Sequence, residues 1–102
     1  MLVTISQNIF CNNLESIGNL ISIKKSEDYE CIPRVGDNVC NFMWEDNVES
    51  KVVEVSFIDN RKCEIMLEKR VTSYTKENIR ILAEAHGWII SLWTAITSLD
   101  FS

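Results

Sequence analysis

The chain has 102 residues, of which 46% are hydrophobic and 25% charged, and its formal net charge is −5. This length and composition are typical of one globular domain, so we expect residues 1–102 to form a single domain in the cytoplasm. No export signal is evident, and the longest nearly apolar run, 88–99, falls short of the roughly 20 residues that cross a bilayer. We therefore expect no membrane association.

The first half of the chain begins with an alternating pattern. Apolar side chains at every second position of 3–11 predict a half-buried strand that ends at the turn-forming pair 12–13. A second extended segment covers 20–23, and the polar residues 26–28 predict a turn before Tyr29.

Segment 33–39 (Pro-Arg-Val-Gly-Asp-Asn-Val) combines the single proline with one of three glycines. These residues favour a bend from which a strand leaves. Strand patterns follow at 38–44, 53–57 and 63–67, with turn residues at 59–60, and they predict a three-stranded meander. The side chains of Val53, Val55 and Phe57 are expected on one face.

The hydrophobic period changes after residue 74. Thr75 is suited to cap a helix that ends at Gly87. The expected buried face consists of Ile79, Leu82, Ala83 and His86, and the expected solvent face of Lys76, Arg80 and Glu84.

The segment that follows the helix fits two structures. In 88–95, Trp88, Ile90 and Leu92 fit one strand face, but helical spacing also fits. The β-branched residues Ile89, Ile90 and Thr94 favour a strand. The elements together predict an α+β fold with a small, strongly bent antiparallel sheet, or an SH3-like barrel, with one helix near the C-terminus.

The barrel alternative comes from a resemblance. Segment 33–39, followed by two hairpin strands, resembles the P-x-x-G-D-x-V element that opens small SH3-like barrels, and the match covers about 32–69. The resemblance implies a binding module for peptides, proteins or nucleic acids that is rarely catalytic. The acidic character of this chain departs from the nucleic-acid-binding members.

The cysteines do not form a metal-binding pattern. Cys11, Cys31, Cys40 and Cys63 are separated by 20, 9 and 23 positions, and His86 is the single histidine. Metal motifs usually place two ligands on one short loop, so we expect no metal and no cofactor. Because no export signal is evident, we expect no disulfide either. Cys31 is expected near a strand start, and Cys40 and Cys63 as small core residues.

No catalytic arrangement is supported by the sequence. Ser22 with Lys25 and Ser73 with Lys76 match a serine–lysine spacing that recurs by accident, and the three glycines form no phosphate-binding loop. We expect a satisfied structural role for His86 beside the helix end. The chain is therefore not expected to be an enzyme.

Charge gives the functional hypothesis. Segment 27–49 holds seven acidic residues and one basic residue, which disfavours nucleic acid and favours a basic protein partner. The alternative is that these acids simply occupy solvated turns. The residues expected to bind the partner are Tyr29, Glu30, Asp37, Trp44, Glu45, Asp46 and Glu49.

Two functions follow from this sequence. The first is a non-catalytic protein-binding module, such as an inhibitor or immunity-type protein, that engages a basic partner through 27–49. The alternative is a self-assembling structural or scaffold component that forms a homodimer through 88–99, where tryptophan side chains would supply the contacts.

Overall fold

The computed structural model describes residues 1–40 and 49–93, and it has the expected mixture of strands with one short helix near the C-terminus. The elements are β1 (Leu2–Phe10), a 3-10 turn (Ile17–Asn19), β2 (Leu20–Asp28), β3 (Asn38–Cys40), β4 (Glu49–Phe57), β5 (Lys62–Leu67), β6 (Arg70–Val71), α1 (Lys76–Ala85) and β7 (Ile89–Trp93).

The strands form one sheet in the order β3-β4-β5-β1-β2-β7, and β6 also pairs with β1. β1 runs parallel to β5 and β6, whereas the other neighbours are antiparallel. The expectation of an antiparallel sheet is therefore wrong at its centre, because alternation reports which face is buried but not which distant strand becomes the neighbour. The described sheet is open, so the barrel alternative is not confirmed.

One face of the sheet carries the core. Val3, Ile5 and Ile9 of β1 are buried together with Ile65 of β5. α1 covers this face on the β2 and β7 side, where it contributes the buried Ile79. We call this part of the molecule the helix side.

The rest of the core face is covered by a connection without regular structure. The loop 29–37 joins β2 to β3, and its Tyr29 and Ile32 pack against the core. Its end is hydrogen-bonded to β4 through Val52. We call this part of the molecule the loop side.

The opposite face of the sheet is polar. Thr4 Oγ1 and Ser26 Oγ, on neighbouring strands, are hydrogen-bonded at 2.8 Å. Ser22 Oγ donates to Asn8 Oδ1 across the same pair of strands. Side chains that bond each other in this way need no apolar cover, so this face can remain open to solvent.

β1 and β2 form a longer hairpin than expected. The predicted turn is confirmed at Asn12 and Asn13, whose φ angles are 58° and 54°. The turn predicted at 26–28 is wrong, because these residues continue β2 and pair with residues 2–4 of β1. A partner strand of full length overrides the local preference of polar residues for a turn.

The meander β3-β4-β5 is confirmed within the described residues. A register shift between Val52 and Glu54 buries Val52 and exposes Val53, so the inward position predicted for Val53 is wrong. An extra residue in one strand reverses the alternation from that point, which sequence spacing alone does not reveal. Four residues, 58–61, connect β4 to β5 instead of the two expected.

The helix begins at its predicted cap, where Thr75 Oγ1 accepts the backbone N–H of Asn78 at 3.1 Å. Two side-chain positions are wrong. Lys76 is buried instead of solvated, because its ammonium lies 5.5 Å from the ring centroid of Trp93, and such a cation–π contact compensates in part for lost hydration. His86 is exposed, since it lies just beyond the last turn.

The strand interpretation of the segment after the helix is confirmed by β7, which pairs antiparallel with β2. Trp88 is buried and Ile90 half-buried. A register shift at Ser22 and Ile23 leaves Leu92 exposed, so the prediction that Leu92 shares one strand face with Trp88 and Ile90 is wrong. Residues 94–99 of the expected dimer segment lie outside the described residues.

The cysteines differ in exposure. Cys63 is buried as expected, and Cys11 is also buried in the core cluster. Cys31 is exposed and lies in the loop rather than near a strand start, because β3 begins only at Asn38. No helix within residues 1–40 and 49–93 has the length and apolar character needed to cross a bilayer.

Candidate protein-binding surface

The turn at 34–37 anchors the loop side. Asp37 N–H donates to the carbonyl of Arg34 at 2.9 Å, and Asp37 Oδ2 accepts the N–H of Arg34 at 2.8 Å. Gly36 has a φ of +95°, the sign that a type II turn requires at its third position. Because no atom lies within 4 Å of where a Cβ would stand, conformation rather than space requires this glycine.

Two further hydrogen bonds attach this turn to β4. Gly36 N–H donates to the carbonyl of Val52 at 2.8 Å, and Val52 N–H donates to the carbonyl of Asp37 at 2.8 Å. Segment 33–39 therefore forms the bend from which β3 leaves, as the sequence predicts. It also fixes the path of the loop across the core face.

Tyr29 holds the other end of the loop. Its N–H donates to the carbonyl of Met1 at 2.9 Å, and the N-terminal ammonium donates to the carbonyl of Tyr29 at 3.1 Å. The ring packs against the core, and burial, assisted by the charge of Glu27, raises the pKa of the phenol. Tyr29 is therefore mainly a cover for the core edge.

Between these two anchors the loop leaves a groove. Its volume is about 460 Å³, and its lining consists of Glu30, Ile32, Pro33, Arg34, Val35, Val55 and Phe57. Val35 is 64% exposed and Phe57 is 65% exposed, so the groove has apolar walls that solvent reaches. We call this feature the loop groove.

The position of Phe57 follows from strand pairing. Val55 pairs with Ile65 and Phe57 pairs with Cys63, and both partners are buried in the core. Val55 and Phe57 therefore lie on the core face, where the loop covers them incompletely. The sequence pattern correctly indicates that Val55 and Phe57 share a face, but it gives no sign that this face is incompletely covered at Phe57.

The acidic residues of the predicted site differ in their bonding. Asp28, Glu30 and Glu49 are exposed, and their carboxylates make no ion pair or hydrogen bond with the described part of the chain. Glu27 is paired with Lys25 Nζ at 3.0 Å, and the carboxylate of Asp37 is engaged in its own turn. Of the three carboxylates without a partner among the described residues, that of Glu30 lies at the loop groove.

The structure does not gather the predicted residues into one cluster. Tyr29 and Glu30 are adjacent in the loop, and Glu30 lines the loop groove. Glu49 is at the opposite end of β4, six residues from Val55, or about 20 Å along the strand. Trp44, Glu45 and Asp46 lie outside the described residues.

The other chemical candidates are separated or occupied. Ser22 and Lys25 are an odd number of residues apart on β2, so their side chains point to opposite faces of the sheet. Lys25 Nζ donates to the carbonyl of His86 at 3.1 Å in addition to its pairing with Glu27. Among residues 1–40 and 49–93, no three His, Cys, Asp or Glu side chains are grouped to hold a metal ion.

Burial also makes the core thiols unreactive. It raises the pKa of Cys11, which the charge of Lys76 partly opposes. The pKa of Cys63 is raised by burial and by Glu64. A raised pKa leaves less thiolate, the nucleophilic form, at neutral pH.

Comparison of this chain with protein-family models, with curated proteins and with solved structures gives no match.

Proposed function

We propose that this protein is a non-catalytic protein-binding module of the cytoplasm that engages a basic protein surface through segment 27–49. The observation that supports the proposal most strongly is the loop side itself. It combines the exposed carboxylate of Glu30, which has no partner among the described residues, with an apolar groove that solvent reaches.

Electrostatics supply the argument for a basic partner. A surface with a surplus of one sign speeds the approach of the opposite sign and repels its own. Such a pair of surfaces gains specificity because a partner with like charge is disfavoured. A nucleic acid backbone is repelled for the same reason, so a basic protein fits this segment better.

An inhibitor or immunity-type role is the sharpest form of this proposal. A small acidic protein can block a basic enzyme by covering the surface with which that enzyme holds its substrate. The resemblance of 33–39 to the first element of SH3-like barrels also supports a binding module. It supports the proposed function only and is not evidence for a barrel fold.

A matched pair of charge reversals tests the proposal. The test variant is Glu30→Lys with Glu49→Lys, and the control is Glu54→Lys with Glu64→Lys on the polar face. Two reversals add four charges, so each variant changes the formal net charge from −5 to −1. Capture of basic proteins from a lysate, measured by mass spectrometry, should be lost in the test variant and retained in the control.

Two results would contradict the proposal. Equal loss of captured proteins in both variants would mean that binding depends only on the total charge of this protein. Recovery of the same partners by the test variant would mean that the partner binds elsewhere.

A second candidate function, self-assembly through the C-terminal region, is favoured by the position of β7. β7 is an end strand of the described sheet and pairs there with β2 alone. Its sequence, Ile-Ile-Ser-Leu-Trp, contains no charge and no proline, the usual protections of an edge strand, and Ile89 is 61% exposed. Two copies related by a two-fold axis would pair β7 with β7 without bringing like charges together.

Light scattering separates this second candidate from the first. Self-assembly requires a dimer whose mass falls to that of the monomer when Leu92→Lys adds a charge to the edge. Ile81→Lys, on the exposed surface of α1, is the control and should leave the dimer intact. A monomer at high protein concentration would eliminate self-assembly.

A further inference from the structure

We propose that the loop groove receives one apolar side chain from an extended, basic segment of the protein partner. This inference rests on the proposed function and specifies how contact is made. The groove contributes the apolar half of the contact, and Glu30 in its lining contributes the charged half.

The groove is large enough to receive an apolar side chain. Its volume of about 460 Å³ lies within the roughly 300–1,000 Å³ that is typical of ligand pockets. Val35 and Phe57 form its exposed walls, and the half-buried Ile32 and Val55 connect it to the core. An apolar side chain placed there would extend the core and shield both walls from water.

The two walls of the groove are held in place by different elements. Phe57 belongs to β4, which is paired with β5 at this position. Val35 belongs to the turn that two hydrogen bonds attach to Val52. Both walls are therefore positioned before a partner arrives, so binding costs little ordering of this chain.

Charge selects the sequence on each side of the apolar anchor. Glu30 lines the groove, so lysine or arginine on the partner would face an exposed carboxylate that has no partner among the described residues. Arg34, the single basic residue of segment 27–49, also lines the groove. Its guanidinium can donate to main-chain carbonyls of an extended segment.

Three capped peptides of fixed sequence test this inference by isothermal titration. They are Lys-Arg-Leu-Arg-Lys, Lys-Arg-Ser-Arg-Lys and Glu-Glu-Leu-Glu-Glu. The wild-type protein should bind the leucine peptide about tenfold more tightly than the serine peptide, because burial of much of one leucine side chain corresponds to about that factor. The acidic peptide should bind most weakly.

Variants of the walls locate the effect. The preference for leucine over serine should disappear in Phe57→Ser and in Val35→Ser. It should persist in Ile17→Ser, because Ile17 is 63% exposed, as Val35 is, but does not line the groove. A thermal unfolding midpoint near that of the wild type shows that each variant is folded.

The possible failures are distinct. The groove inference is wrong if the wild type shows no preference for the leucine peptide, or if that preference survives in both wall variants. If Glu30→Lys still weakens the binding of both basic peptides, the proposed function stands. If the acidic peptide binds as tightly as the basic ones, the proposed function is wrong as well. If light scattering shows a dimer that Phe57→Ser dissociates, the groove binds a second copy, and the inference is overturned.

Discussion

The helix side and the loop side cover the same face of one sheet in different ways. On the helix side, Ile79 and Ala83 are fully buried and Trp88 closes the end of the layer. On the loop side, Tyr29 and Ile32 are half-buried, while Phe57 on the sheet below remains exposed. One cover seals the core and the other leaves a groove.

The difference follows from the hydrogen-bonding needs of the two covers. A helix satisfies its own backbone and can present a continuous apolar stripe to the sheet. A loop must find partners for its backbone elsewhere, which here are Met1 at one end and Val52 at the other. Between these anchors the loop spans the sheet without filling the space below it. The helix side therefore contributes mainly stability, and the loop side contributes the surface proposed for binding.

The largest expected effect is a loss of stability on substitution of Gln7, in the core beneath α1 and the loop 29–37. Gln7 is fully buried, and its Nε2 donates to Ser50 Oγ at 3.0 Å and to the carbonyl of Glu68 at 3.0 Å. Gln7→Glu would remove that amide and place a carboxylate among acceptors. We expect the free energy of unfolding at neutral pH to fall by about 3 kcal/mol or more, since an unpaired buried charge is costly.

The pH dependence of this variant has a definite sign. The buried carboxyl would have a pKa above its unfolded value, so the folded state would bind more protons than the unfolded state between the two pKa values. The stability of Gln7→Glu relative to wild type should therefore fall as pH rises and recover on acidification. Urea unfolding at several pH values measures this, and equal stability of both proteins at neutral pH would contradict the bonding described for Gln7.

The next effect compares the two sides directly. Ile79→Ala on the helix side should lower the free energy of unfolding by about 2–5 kcal/mol, because a buried side chain is removed and a cavity remains. Phe57→Ala on the loop side should lower it by less than about 1 kcal/mol, because most of the ring is already in water. Equal losses in urea unfolding would mean that the loop side is as tightly packed as the helix side.

Part of this contrast could be predicted from the sequence. Thr75 and Gly87 mark the ends of α1 because capping chemistry is local, and the alternation in β5 correctly predicts the burial of Cys63, Ile65 and Leu67. The exposed position of Val53 could not be predicted, because the register shift in β4 depends on its pairing with β5.

The candidate site was predicted less completely than the fold. The acidic surplus of 27–49 is a property of composition and is read directly from the sequence. The loop groove depends on β1 lying between β2 and β5, which takes the loop 29–37 across the core face to reach β4. Sequence spacing does not encode such a long-range arrangement, so the apolar half of the site was missed.

A smaller effect concerns the anchor of the loop side. Gly36→Ala should lower the free energy of unfolding by about 1 kcal/mol, because alanine is strained at a φ of +95°. The control is Val35→Ala in the same turn, which should have little effect because Val35 is largely exposed. If both substitutions are neutral in urea unfolding, the turn does not constrain the loop.

The smallest effect is expected in alkaline solution. The pKa of Cys11 is raised above its ordinary value of 9.0, so near that pH the unfolded thiol loses its proton while the folded thiol keeps it. The free energy of unfolding should therefore decrease as pH rises through this range. Cys11→Ala should show a shallower decrease than wild type in urea unfolding, and an unchanged slope would contradict the burial of this thiol.

The central claim is that a basic partner binds on the loop side, and amide chemical shifts measured while the Lys-Arg-Leu-Arg-Lys peptide is added test it most directly. The account predicts the largest shift changes in residues 28–37 and 55–57, with little change in α1. Changes concentrated in α1 and β7, with residues 28–37 unaffected, would contradict it.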